Sequence, residues 1–141
     1  SIITPKSYGT PQKYKSLNQH LTTLIKHPFI ALSNKMITGE LVKSFFKIQH
    51  FTPNTQFVLN DPKLIITTVQ NQAGWSIIAD NQIPDDLSKI NTYPIANDRL
   101  QYTLIMAHRS SKENTPEMNA LLRISQKIYH INPIQQQIYR E

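Results

Sequence analysis

Apolar residues along this chain occur in two patterns, short continuous runs and stripes with helical spacing. Short apolar runs bounded by turn residues are typical of buried strands, whereas apolar residues three or four apart are typical of helices that pack on one face. The runs predict strands at 1–4, 29–32, 56–59, 75–79, 90–95 and 100–108. The stripes predict helices from 16 to the proline at 28, from 38 to about 49, from 62 to about 72, and from 116 to about 129.

The expected helices carry signals at their ends. Ser16 is suited to cap the first helix, and Asn60 or Asp61 can cap the third, whose first helical position is Pro62. Gly74 follows the third helix and can supply the positive φ angle of its exit. These signals give the helical stripes defined boundaries.

Strands and helices alternate over residues 29–79 in the order strand, helix, strand, helix, strand. Such crossovers build a right-handed parallel arrangement with helices on the faces of the sheet. We therefore predict an α/β fold with a mostly parallel sheet flanked by helices.

The strongest candidate site lies where two of these strands end. In open α/β sheets, ligands bind outside the carboxyl ends of the strands, which here are followed by Ser33, Asn34 and Lys35 and by Asn60 and Asp61. Both segments run into helix N-termini, whose free N–H groups favour anions, and Lys35 adds a full positive charge. A cap role for Asp61 is favoured over ligand contact, whereas Ser33 and Asn34 fit ligand contact and plain turn chemistry equally well.

Composition indicates one globular domain or two small lobes. The chain has 141 residues, 39% of them hydrophobic and 17% charged, with a net charge of +6 and no cysteine. No stretch approaches the roughly 20 apolar residues that span a bilayer. Residues 1–47 hold seven lysines against one acidic residue, while residues 48–141 are balanced. Because arginine is absent from the basic part, a solvated basic face is favoured over a nucleic-acid surface.

No constellation of catalytic or metal-binding residues is evident. The five histidines lack the spacing of metal ligands, there is no Gly-x-Ser-x-Gly nucleophile motif, and the adjacent carboxylates of Asp85 and Asp86 would point apart in a regular element. We therefore expect no enzyme activity, no cofactor and no metal site.

Several ordered segments resemble the effector-binding region of LysR-type transcriptional regulators. The resemblance is carried by residues 16–33, which end in HPFIALS, by VQNQAGWSII at 69–78, and by the strand at 101–108 followed by the helix from Pro116. It covers nearly all of residues 1–130. The chain departs from the family pattern at Gln72, where glycine is frequent, and at Ala79, where proline is frequent.

The resemblance implies a periplasmic-binding-protein-like (type II) fold of two lobes joined by crossover strands. It assigns 1–16 to the first crossover strand and hinge loop, 17–95 to the second lobe, 96–130 to the return strand and closing C-terminal helix of an incomplete first lobe, and 131–141 to a tail. The hinges match Pro5 and Lys6 on one side and Ile95 to Asp98 on the other. We expect the chain to be a fragment of a longer protein.

The resemblance also implies a function. The parent protein would be a dimeric, cytoplasmic bacterial regulator that binds a small effector between its lobes and so alters promoter binding. It would contact DNA only through a helix-turn-helix domain that this chain lacks, and it would not bind a membrane. An alternative is a lobe of a periplasmic-type solute-binding receptor for transport. With half of the cleft missing, we expect weak effector binding and self-association through the closing helix and strand 100–108.

Overall fold

The computed structural model describes residues 1–9, 16–95, 100 and 115–129, which form five strands and four α-helices. The other expected elements are confirmed in this part, and the strand expected at 100–108 lies outside it except for Leu100, which is not in a strand. The elements, in chain order, are β1 (Ile2–Pro5), α1 (Leu17–Leu24), β2 (Phe29–Leu32), α2 (Ile37–Ile48), β3 (Thr55–Leu59), α3 (Pro62–Gln70), β4 (Ser76–Ile77), β5 (Ile90–Tyr93) and α4 (Pro116–Tyr129).

The strands form one mixed arrangement in the order β3-β2-β4-β1-β5. β2 pairs with β3 in parallel, β1 pairs with β4 and β5 in antiparallel fashion, and a parallel bridge between Phe29 and Trp75 joins the two groups. The expectation of a mostly parallel sheet was therefore wrong. All four residues of β1 are buried, and a strand buried on both faces has the same apolar pattern whichever way it runs.

Helices cover both faces of the sheet. On one face, α1 and α2 pack with Phe29, Trp75 and Ile77 in a single core cluster. On the other face, α3 packs with Ile30 and Ile78 in a second cluster. Successive residues of a strand alternate between the two clusters, as the period of a strand requires. The result is a three-layer α/β unit.

Helix α4 lies in a different unit of the chain, which is divided after Thr103. The hydroxyl of Thr115 accepts a hydrogen bond from the Met118 N–H (3.3 Å), which caps the helix. Its exposed apolar side chains are Leu121, Ile124 and Ile128. Among the described residues, no helix has the length and apolar character needed to cross a membrane.

Helix α3 ends in a Schellman motif that has glutamine at the left-handed position. The N–H of Gln72 bonds to the carbonyl of Val69 (2.9 Å) and that of Ala73 to the carbonyl of Thr68 (3.2 Å), with Gln72 at φ +64°. The expectation that Gly74 supplies the positive φ of the exit is thus corrected to Gln72. Gly74 (φ +156°) serves a different need, because a Cβ there would lie 2.4 Å from the carbonyl oxygen of Pro28.

We predict that Gln72→Gly stabilises the protein by about 1 kcal/mol, because glycine removes the cost of a left-handed L-residue. Chemical denaturation monitored by circular dichroism measures the change. Gln70→Gly makes the same exchange at a helical position of α3 and is expected to cost about 1 kcal/mol. Equal effects of the two substitutions would contradict the assignment.

Candidate functional site

The parallel register of β2 and β3 brings the two candidate segments together. Leu32 pairs with Leu59, and the N–H of Ser33 donates to the carbonyl of Leu59 at 2.7 Å. Ser33 and Asn60 therefore leave the sheet side by side at the same edge. This edge, where the strands β2, β3 and β4 end, is called the carboxyl edge below.

The segment after β2 forms a tight turn into α2. The Ser33 carbonyl accepts the Met36 N–H (2.9 Å), and the Ser33 hydroxyl accepts the Lys35 N–H (3.3 Å). Turn chemistry at Ser33 is thus observed. Helix α2 begins after Met36 without any side-chain cap, so its first N–H groups are left to solvent or a ligand. The side chains of Asn34 and Lys35 are exposed, and Lys35 forms no ion pair with any described residue.

The segment after β3 carries a negative charge at Asp61, whereas the segment after β2 carries a positive charge at Lys35. Asp61 caps α3, because its carboxylate accepts a hydrogen bond from the Lys63 N–H at 2.8 Å. The cap role that the sequence favoured over ligand contact is therefore observed. The carboxylate already satisfies the helix terminus and would repel a second anion there. Asn60 precedes it and is exposed, and its side chain can donate and accept hydrogen bonds. The carboxyl edge is therefore attractive to anions beside α2 and to hydrogen-bond donors beside α3.

Gly39 fixes the position of the turn relative to α2. A Cβ at Gly39 would lie 2.1 Å from the carbonyl oxygen of Ser33 and 2.6 Å from that of Leu32. The first turn of α2 therefore packs directly on the backbone at the end of β2. Contact between backbones therefore helps to hold the turn in place.

The expected hinge residues Pro5 and Lys6 lie at one edge of the sheet, and Ile95 follows a strand that ends at the other edge. Pro5 pairs with Ile90, and the Lys6 N–H bonds to the Lys89 carbonyl (3.2 Å), at the edge opposite the carboxyl edge. Ile95 follows the end of β5, which runs in the same direction as β4 and ends at the carboxyl edge. Asp98 lies outside the described residues.

Asp80 is a further residue of this edge, which was not among the residues predicted for the site. It follows β4, whose carboxyl end lies beside that of β2, and its side chain is exposed. The rule that placed Ser33 and Asn60 at the site applies equally to the segment after β4. The strand predicted at 75–79, which is β4 in the structure, was therefore the signal that could have identified Asp80.

A buried polar cluster lies on the face of the sheet covered by α1. The ring of His20 is 4.0 Å from that of Tyr93, measured between centroids, and His20 is 4% exposed. Asn91 Nδ2 donates to the carbonyl of Gly9 (2.8 Å), and the Tyr93 hydroxyl donates to the same carbonyl (3.3 Å). Burial lowers the pKa of His20 from 6.5 to about 4. Sequence spacing gave no sign of this environment.

Metal binding has no support in the described part of the chain, where no three His, Asp or Glu side chains are grouped to hold an ion. The histidines with described environments have other surroundings. His27 stacks on Tyr8 at 3.9 Å between ring centroids, and His50 occupies the left-handed position after α2 (φ +49°).

Together, the three-layer α/β unit and its polar carboxyl edge are typical of a ligand-binding lobe. Comparison with protein families gives a match to the LysR substrate binding domain over residues 11–128. The match covers most of the chain, so the chain belongs to this family, the effector-binding domains of LysR-type transcriptional regulators, which are not enzymes. The resemblance noted in the sequence is thus confirmed. A search of curated proteins found no match.

We predict that Gly39→Ala lowers stability by about 1–3 kcal/mol, because its methyl group must displace the backbone of Ser33. Urea denaturation of the purified chain measures the loss. Ser44→Ala, at an exposed position of the same helix, is expected to be neutral or slightly stabilising. A Gly39 variant as stable as the Ser44 variant would show that the close contact is wrong.

We predict that His20 makes stability fall between pH 6.5 and pH 4. The folded-state pKa lies below the unfolded value, so the unfolded chain takes up a proton that the folded chain refuses as the pH falls through this window. Urea denaturation at pH 7, 6 and 5 measures the slope, which His20→Gln should flatten. His50→Gln, at an exposed histidine, should keep the wild-type slope. An unchanged slope in the His20 variant would refute the prediction.

Proposed function

We propose that this chain contributes the second lobe of an effector-binding domain and holds a small anionic effector at the carboxyl edge. In this proposal, the uncapped N-terminus of α2, Lys35 and the turn at Ser33 and Asn34 bind the anionic group. Asn60 hydrogen-bonds another part of the effector. Asp61 acts mainly by capping α3, and its carboxylate disfavours an anion on that side.

The observation that carries the proposal is the 2.7 Å hydrogen bond from the Ser33 N–H to the Leu59 carbonyl. It fixes the two segments side by side, so that one small molecule can reach both. The free N–H groups of α2 and the unpaired Lys35 supply the attraction for an anion. These groups are positioned by the sheet before any ligand arrives, which reduces the entropy lost on binding.

The finer organisation of the parent protein is also part of the proposal. Residues 17–95 are the second lobe, 1–16 and 96–130 carry the crossover strands and the closing helix, and 131–141 are a tail. The chain passes between lobes near Ile95 and Asp98. Pro5 and Lys6, given as the other hinge, lie within the lobe structure, which favours the opposite end of β1 for that crossover.

In the parent, a cytoplasmic dimer, the effector would change the relative populations of two arrangements of the assembly and thereby alter promoter binding through a separate helix-turn-helix domain. A transport-receptor lobe shares this architecture, but architecture is all that supports that alternative. The family match favours the regulator.

We predict millimolar, not micromolar, binding of a minimal carboxylate to this chain, because it supplies one side of the cleft. Amide NMR during titration with acetate, against chloride at equal ionic strength, should show shifts at the start of α2. Lys35→Gln should weaken the binding several-fold, whereas Lys43→Gln, at an exposed lysine further along α2, should leave it unchanged. Micromolar affinity would overturn the half-cleft proposal, and equal effects of the two substitutions would overturn the anion site.

A further inference from the structure

Asp80 holds an ammonium group at the carboxyl edge. A carboxylate oxygen of Asp80 accepts a hydrogen bond from the N-terminal ammonium of Ser1 at 2.9 Å, and the carbonyl of Ile78 accepts another at 2.8 Å. Partial desolvation raises the pKa of Asp80, but the hydrogen bonds and positive charge of Ser1 outweigh it, so that the pKa is lowered. The carboxylate and the carbonyl together form a pair of acceptors that fits a primary ammonium.

One of these two contacts belongs to the sheet, and the other does not. The N–H of Ile78 donates to the Ser1 carbonyl at 3.0 Å, so Ser1 and Ile78 exchange both bonds of an antiparallel pair. An acylated nitrogen at Ser1 has a single N–H, which this pair uses. The Asp80 carboxylate, which belongs to a side chain that is 73% exposed, is then available to another cation.

The segment that carries Asp80 begins beside the anion site of α2. β4 is the parallel neighbour of β2, and the Ser76 hydroxyl donates to the Ile30 carbonyl between the two strands at 2.6 Å. Adjacent strands lie about 4.8 Å apart. The segments that follow these strands, with Lys35 after β2 and Asp80 after β4, therefore begin within the length of one small molecule.

The charges of the carboxyl edge alternate from strand to strand. Asp61 follows β3, Lys35 follows β2 and Asp80 follows β4. The carboxylate of Asp61 is engaged by the N–H of Lys63 at the start of α3 (2.8 Å), which leaves Asp80 as the described acidic residue of this edge that suits a cation. An effector with an anionic group alone would have a carboxylate near its own charge, which is unfavourable.

We propose that the effector is a zwitterion of the amino-acid class, whose carboxylate binds Lys35 and the start of α2 and whose primary ammonium binds Asp80. This inference rests on the function proposed above, because it keeps the anion site and adds a cation site beside it. Asp80 selects against simple carboxylates, which leave its charge unpaired. Lys35 and the helix N-terminus select against simple amines for the same reason.

Small ligands of known charge test the proposal in the full chain with an Nα-acetylated Ser1. Amide NMR at equal ionic strength follows titrations with acetate, methylamine, glycine and 4-aminobutyrate, of which the last two hold both charges at short and long separation. At least one of these two zwitterions should bind about two- to fivefold more tightly than acetate, the gain typical of an exposed ion pair. Because the chain has a net charge of +6, general electrostatic attraction would favour acetate instead.

Two matched variants locate the ammonium. Asp80→Asn should remove the advantage of the zwitterions and leave acetate binding in place. Asp85→Asn, which removes the same charge at an exposed residue of the loop that follows, should keep the advantage. In the chain without acetylation, the Ser1 ammonium competes for Asp80, so the advantage should shrink.

The outcomes separate this inference from the proposed anion site. Acetate binding with no advantage for glycine or 4-aminobutyrate would overturn the zwitterion and leave the anion site standing. An advantage that persists in Asp80→Asn, or that Asp85→Asn removes equally, would also overturn the zwitterion, as would methylamine that binds as tightly as the zwitterions. Absence of acetate-induced shifts at the start of α2 would overturn the anion site, and this inference with it.

Discussion

The central constraint of the lobe is that β2 is hydrogen-bonded on both sides and buried on both faces. Its neighbours are fixed by the bond from the Ile30 N–H to the Trp75 carbonyl (2.9 Å) and by the bond from the Ser33 N–H to the Leu59 carbonyl (2.7 Å). Phe29 and Ile30 are each almost fully buried, on opposite faces. Helices α2 and α3 must therefore lie on different faces and begin at the same edge, which creates the candidate site.

The site owes its shape mainly to backbone packing. Gly39 allows the first turn of α2 to rest on the carbonyls of Leu32 and Ser33, so the turn is held by the helix that follows it. A ligand would meet N–H groups that are already oriented, and recognition would cost little ordering of the protein. In the proposed site, the exposed side chains of Lys35 and Asn60 would then influence which anion is preferred.

The sequence predicted much of the lobe because local signals were strong. Ser16 and Asp61 cap their helices as expected, and the carboxyl ends of β2 and β3 do lie together. The direction of β1 relative to its neighbours could not be predicted, because a strand buried on both faces lacks the alternation of apolar and polar residues that is typical of antiparallel sheets. The exit of α3 was misplaced by two residues because glycine is the usual left-handed residue, whereas here Gln72 takes that conformation within the hydrogen-bonded Schellman motif.

By itself, the sequence determined the elements, the N-terminal caps of α1 and α3, the α/β class and the family, all of which depend on spacing and order along the chain. Only the tertiary structure decided which elements meet. It set β1 antiparallel between β4 and β5, buried His20 against Tyr93, and separated Pro5 from Ile95. The physical reason is that these outcomes depend on contacts between residues far apart in sequence, whose packing no local pattern records.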